Sequence, residues 1–233
     1  GGNFYNDWYG KNRYTQLDNA TIKAEERGLF LLYQFVTDRI RYLKHSIPED
    51  TQFVNLPNLE ELGDLGKILL NNDPKRVLFN ALLPFAVAAL EHFFSRSFVI
   101  LMYSPRGQRK LSEKQGKIDF ADAFALSKGE KTLESIIADT YSFQNINSIH
   151  KAFSEWHEID FWAILRTKKH KRKTIDKKLE ELIEGRHGIV HRFEFDFEMN
   201  KKKCDEVFDF ILTVIEAFVD YLENESDLKI REF

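Results

Sequence analysis

Residues 185–192 read Gly-Arg-His-Gly-Ile-Val-His-Arg. Upstream of them, Ile175, Leu179, Leu182 and Ile183 recur at helical spacing, so residues 174–185 read as a helix with one buried face. Arg186 continues that stripe one turn beyond Leu182. Gly185 and Gly188 bracket Arg186-His187 and point to a helix that ends, bends or allows close backbone approach there. On an unbroken helix, Arg186 and His191 would lie about 140° apart. A break near Gly188 would let them converge. Arginine is a permanent cation whose planar fork matches phosphate oxygens. Histidine accepts and returns a proton near neutral pH. Together they suffice for metal-free cleavage of RNA. His187 is an auxiliary candidate, for phosphate contact or for orienting the site. Its alternative role is that of a cation at a helix C-terminus.

The segment Arg186-His187-Gly188-Ile189-Val190-His191 resembles the R-x4-6-H motif of the HEPN superfamily. The polar residue after the arginine and the apolar pair before the histidine share the resemblance, as does the setting between several predicted helices and a long amphipathic C-terminal helix. It covers roughly residues 74–224. It implies an all-α fold: a HEPN-like helical bundle, with an N-terminal helical extension in this chain. It also implies a homodimer that brings two such motifs to one cleft. One group within the family pairs with a nucleotidyltransferase and carries a modifiable tyrosine two positions after the histidine. Phe193 stands there in this chain and has no hydroxyl to modify. Catalytic members of the family are often toxins, antiphage factors or RNA-processing enzymes. The resemblance therefore implies an endoribonuclease in host defence or a toxin system, with an antitoxin or regulatory protein as a further partner. The competing class is a HEPN-like module that binds RNA, a nucleotide or a protein without cutting.

A dense basic run, Lys168, Lys169, Lys171, Arg172 and Lys173, precedes the motif helix and is a candidate RNA-backbone contact. The C-terminal region is acidic instead, and the net charge is −3. This asymmetry suits an anionic ligand on one face. Twenty-one phenylalanines among 233 residues predict a heavily aromatic core. The single Cys204 has no internal disulfide partner, so a reducing, cytoplasmic location is expected. The chain opens with Gly1-Gly2, pointing to a processed or truncated start, and no signal peptide is evident. No membrane partner is expected, because the apolar run 77–90 falls short of the roughly 20 residues a span needs.

The remaining chain divides into an extension over residues 1–72, a helical domain over 73–226 and a tail over 227–233. A helix is expected over 21–45, striped by Leu29, Leu32, Val36, Ile40 and Leu43, and a shorter one over 59–70. Asp73-Pro74 starts a helix to about residue 103, where Glu91, His92 and Arg96 interrupt an apolar surface. Each could line a site; the alternative is that they reach solvent. Residues 104–107 read as a loop, and 119–127 and 130–141 as short helices anchored by Phe120, Phe124, Ile136 and Ile137. The helix from about 147 exposes His157 and Asp160; no H-E-x-x-H occurs, and neither a metal nor another cofactor is expected. Alternation of Phe193, Phe195 and Phe197 with acids predicts a short extended segment with one buried face. The final helix should span 201–224.

Overall fold

The computed structural model describes residues 23–50, 74–167, 169–170, 173–196, 198–226 and 228–231. The helix expected over 59–70 lies outside them, as do residues 1–20, Lys168, Lys171, Arg172 and Phe197. Among the described residues the fold is all-α. Nine α-helices are joined by one two-residue β-hairpin: α1 (Ala24–Ser46), α2 (Pro74–Met102), α3 (Pro105–Glu113), α4 (Phe120–Ser127), α5 (Leu133–Asp139), α6 (Ile146–His157), α7 (Phe161–Thr167), β1 (Lys169–His170), β2 (Lys173–Thr174), α8 (Ile175–His187) and α9 (Lys201–Glu225).

Side chains at the helix starts account for most boundaries. The Asn145 carboxamide oxygen accepts from the Ser148 amide at α6, and that of Asn200 accepts from Lys203 at α9. Ser104 caps α3 with Pro105 in its first turn, so the loop expected over 104–107 is in fact a helix start. The Asp160 carboxylate caps α7, after Glu158 ends α6 in the left-handed conformation.

α2 is the centre of the bundle and packs against α1, α3, α5, α6, α8 and α9. It ends at Met102, close to the residue 103 expected, and beyond Glu91 and His92 it buries Phe93, Phe94, Phe98, Leu101 and Met102. By length and composition it could cross a membrane. Its Phe93, Phe94 and Phe98 are instead buried against Phe153 of α6, Phe161 of α7 and Phe218 of α9. The Phe94 ring meets Phe161 edge-on at 5.0 Å and Phe218 at 5.4 Å, and Phe153 meets Phe218 at 5.0 Å. Edge-to-face pairs of this kind add about 0.5–1.5 kcal/mol each beyond area burial.

The stripe expected on α1 is buried except at Leu43, which faces solvent; on α8, Ile175, Leu179 and Leu182 are buried and Ile183 partly so, and α9 buries Phe208, Ile211, Ile215, Phe218, Val219 and Leu222. Two expected anchors are not anchors: Phe120 is 97% exposed and Phe124 is also exposed, since α4 buries no residue. Their spacing suited a buried face, but no described element covers that side. Ile136 is buried and Ile137 partly so. Cys204 is a packed thiol whose pKa burial pushes up to about 12.

His157 is only 3% exposed, not part of a solvent-facing surface. Its ring packs on Phe98 at 5.0 Å and hydrogen-bonds the Phe98 backbone. Desolvation pushes its pKa down to about 3.

Truncating Phe218→Ala should therefore cost about 3–5 kcal/mol of unfolding free energy in a urea titration; a cost below about 1 kcal/mol would contradict the central role of this cluster. His157 should remain neutral by NMR at pH 5. An unfolded imidazole takes its proton near 6.5 and the folded one only near 3, so stability should fall as pH drops between those values. A His157 resonance titrating near 6.5 would contradict its burial.

Candidate RNA-binding and catalytic site

α8 buries Ile175, Leu179 and Leu182, which fixes the rotation of its last turn. At Gly185 that turn meets α2: a β-carbon there would lie 3.3 Å from Leu83. Of the outcomes the two glycines left open, the structure shows close approach and no break at Gly188. The chain continues as a π-helical turn over Gly188–Arg192, and the amide of Phe193 donates to the Gly188 carbonyl. This wider turn changes the facing of side chains without interrupting the helix. Phe193 then adopts the left-handed conformation and is 77% exposed, so the extended segment with a buried face does not form at this residue. A helix terminator, not a strand, set its conformation.

Beyond it the chain is tied back to α2. Asn80, fully buried, accepts from the Asp196 amide at 2.8 Å and donates to the Asp196 carbonyl at 3.0 Å. The asparagine that interrupted an apolar stretch in sequence thus works as a surrogate backbone partner for the segment after the motif.

The three motif side chains have distinct surroundings. His187 and His191 are exposed neighbours, with ring centroids 4.5 Å apart at 45°. Arg186 is half-buried and donates through Nη1 to the Gln144 carboxamide oxygen at 3.1 Å. Gln144 in turn donates to the Glu91 carboxylate at 2.9 Å. The structure thus brings the two histidines together and links Arg186 to Gln144.

Two acids of α8, Glu184 and Asp176, are engaged with other arginines. Glu184 pairs with Arg192 at 2.9 Å, and Asp176 with Arg166 at 3.4 Å. Arg192 also pairs with Glu194 at 2.9 Å, and these contacts hold the Glu184 carboxyl below its ordinary range. The two arginines of the motif therefore differ in kind. Arg192 is compensated by two carboxylates, whereas the direct partner of Arg186 is a neutral amide. The geometry of Gly188 supports this clamp, because a β-carbon there would lie 2.9 Å from a Glu194 carboxylate oxygen.

Lys169 and Lys173 belong, in their backbones, to the β-hairpin that pairs Lys169 with Thr174 and His170 with Lys173. That hairpin leads into the start of α8, while Arg186 lies in its last turn. A rise of 1.5 Å per residue separates them by about 18 Å along the helix. Among the described residues, no group of three or more His, Cys, Asp or Glu side chains is placed to hold a metal ion.

Gln144 was not legible as a site residue. A lone glutamine between Phe143 and Asn145 has no periodic or motif signal, and only the packing of α2 against α8 reveals its role.

A helical bundle with an R-x4-H segment at the end of one helix and a long amphipathic helix after it is a HEPN-like domain. The family model described as RiboL-PSP-HEPN matches residues 49–224, and the chain belongs to this HEPN family. Membership points to a nuclease or otherwise RNA-related role. Neither the curated proteins nor the solved structures contain a match to the chain.

Replacing Gln144→Ala should release Arg186 at a stability cost of about 1 kcal/mol. The side-chain Nε signal of Arg186 should then narrow and average in NMR. An unchanged signal would show that Gln144 does not hold it.

Proposed function

We propose that the chain is a metal-independent endoribonuclease, and the single observation that carries this reading is the unequal treatment of the two motif arginines. Arg186 has no carboxylate partner among the described residues, while Arg192 a few positions on is clamped by two. A cation left without a counter-charge beside exposed histidines suits an incoming phosphate.

In this mechanism His191 removes the proton from a ribose 2′-hydroxyl, whose oxygen attacks the adjacent phosphorus. The P–O5′ bond breaks, and the leaving oxygen takes a proton from an imidazolium. The products are a 2′,3′-cyclic phosphate and a 5′-hydroxyl. Arg186 neutralises the charge that grows on the equatorial oxygens of the five-coordinate phosphorus. DNA lacks the attacking hydroxyl and is not cut.

One histidine cannot be base and acid in the same instant. His187, with its ring beside that of His191, is one candidate for the second proton. The other is His191 of a second copy, brought across a two-fold axis in a homodimer with a composite cleft. The basic run Lys168, Lys169, Lys171, Arg172 and Lys173, which precedes the motif helix in sequence, would hold RNA backbone. A role in host defence or as a toxin, restrained by an antitoxin or regulatory protein in the cytoplasm, fits an enzyme that degrades RNA.

A second reading is an RNA-binding module that does not cut. The observation favouring it is that Arg186 already spends one donor on Gln144.

With EDTA present, the wild-type protein should cleave a mixed RNA pool. Both His191→Ala and Arg186→Ala should lower kcat/KM by about 10²-fold or more. Equal cleavage by wild type and both variants would remove these residues from the site. RNA binding without cleavage, lost when the basic run is neutralised, would favour the non-cutting module.

A further inference from the structure

A cavity of about 590 Å³ opens between α2 and α5, lined among others by Glu91, His92, Ser95, Arg96, Tyr141 and Ser142. No motif residue lines it, and Gln144 links the two. One end of that carboxamide holds Glu91 on the cavity wall and the other holds Arg186. The volume lies within the range of about 300–1,000 Å³ typical of small-molecule sites, and one nucleotide fits it.

The lining suits a nucleotide more closely than its size alone. Tyr141 is a fixed aromatic wall: its hydroxyl donates to Glu155 at 2.7 Å and accepts from the Trp156 indole at 2.9 Å. A ring locked in this way stacks on a base at low entropic cost. Arg96 is exposed and makes no ion pair among the described residues. The lysine on the wall, Lys131, is already held by Asp122 and Asp139 at 3.0 and 2.9 Å, so Arg96 is the cation left for a phosphate. Desolvation, then the charges of Arg96 and Arg39, push His92 below the ordinary imidazole range. A bound anion would relieve that pressure.

We propose that this cavity seats a nucleotide of the RNA substrate next to the scissile phosphate, its base against Tyr141 and its phosphate on Arg96. The inference rests on the ribonuclease reading and adds a specificity pocket to it. Gln144 is the positioning residue that joins the two sites. A nucleotide that moves Glu91 alters the hydrogen bond that aims Arg186, so the correct neighbour in the RNA helps place the arginine at the cut.

The test uses the full chain carrying His191→Ala, which keeps the cavity and removes the proposed base. The four nucleoside 5′-monophosphates and inorganic phosphate are titrated separately, with the His92 imidazole signal followed by NMR. At least one nucleotide should bind tenfold or more tightly than inorganic phosphate and raise the His92 pKa. Arg96→Ala, a change at an exposed side chain, should weaken that binding at least tenfold. Nucleotides that bind no better than inorganic phosphate, or that ignore Arg96→Ala, would overturn the assignment.

The same Arg96→Ala change in an otherwise wild-type chain should alter which sites in an RNA pool are cut and lower kcat/KM at the preferred site about tenfold. Unchanged rate and site preference would overturn the cavity and leave the ribonuclease reading intact. Arg96-dependent nucleotide binding by a chain that cuts no RNA would do the reverse, sinking the ribonuclease reading and leaving a nucleotide site.

Discussion

The burial of α2 among the aromatic rings of α6, α7 and α9 is the constraint on which the rest of the molecule depends. Phe94 meets Phe153, Phe161 and Phe218 at once, and this contact fixes both the depth and the rotation of the helix. Everything that positions the motif is then attached to α2 at successive turns. Asn80 holds the segment after it, Leu83 packs on Gly185 before it, and Glu91 reaches Arg186 through Gln144. A disturbance of the core would thus be felt at the site as a misplacement of side chains, which can cost catalysis heavily even when the fold survives.

The charges around the motif are sorted by the same scaffold. Two arginines and two histidines fall within seven residues, and a chain of such composition could pair them in many ways. The π-helical turn settles the matter by setting Arg192 between Glu184 and Glu194. Arg186 is left facing a neutral amide, and both imidazoles remain open to solvent. Exposed ion pairs contribute little to stability in water. The consequence of the Arg192 clamp is therefore positional: it engages Glu184 and Glu194, and neither carboxylate pairs with Arg186.

Much of this was legible in the sequence, and the limits are physical. The stripes on α1, α8 and α9 were readable because an amphipathic helix repeats its burial every turn. The π-helical turn was not readable, because a shift of one residue in hydrogen-bond register leaves no mark on that repeat. Gly188 was readable as an end, a bend or a close approach, and only the structure selects the last, with the Glu194 carboxylate against it. His157 was read as solvent-facing, yet an uncharged imidazole can pack among rings as His157 does against Phe98. Phe120 and Phe124 show the opposite error, since apolar spacing specifies a face and not the presence of something to cover it. Gln144 and Asn80 act through single long-range hydrogen bonds, a kind of information that pattern alone does not carry.

The most direct measurement is cleavage, in EDTA, of an RNA that carries a single 2′-deoxynucleotide on the 5′ side of a mapped cut. Cleavage at that position should vanish while other positions continue to be cut, and every new end should be a 2′,3′-cyclic phosphate facing a 5′-hydroxyl. Continued cutting at the deoxy position, or products ending in a 3′-hydroxyl and a 5′-phosphate, would contradict attack by the ribose and with it the roles given to Arg186 and His191.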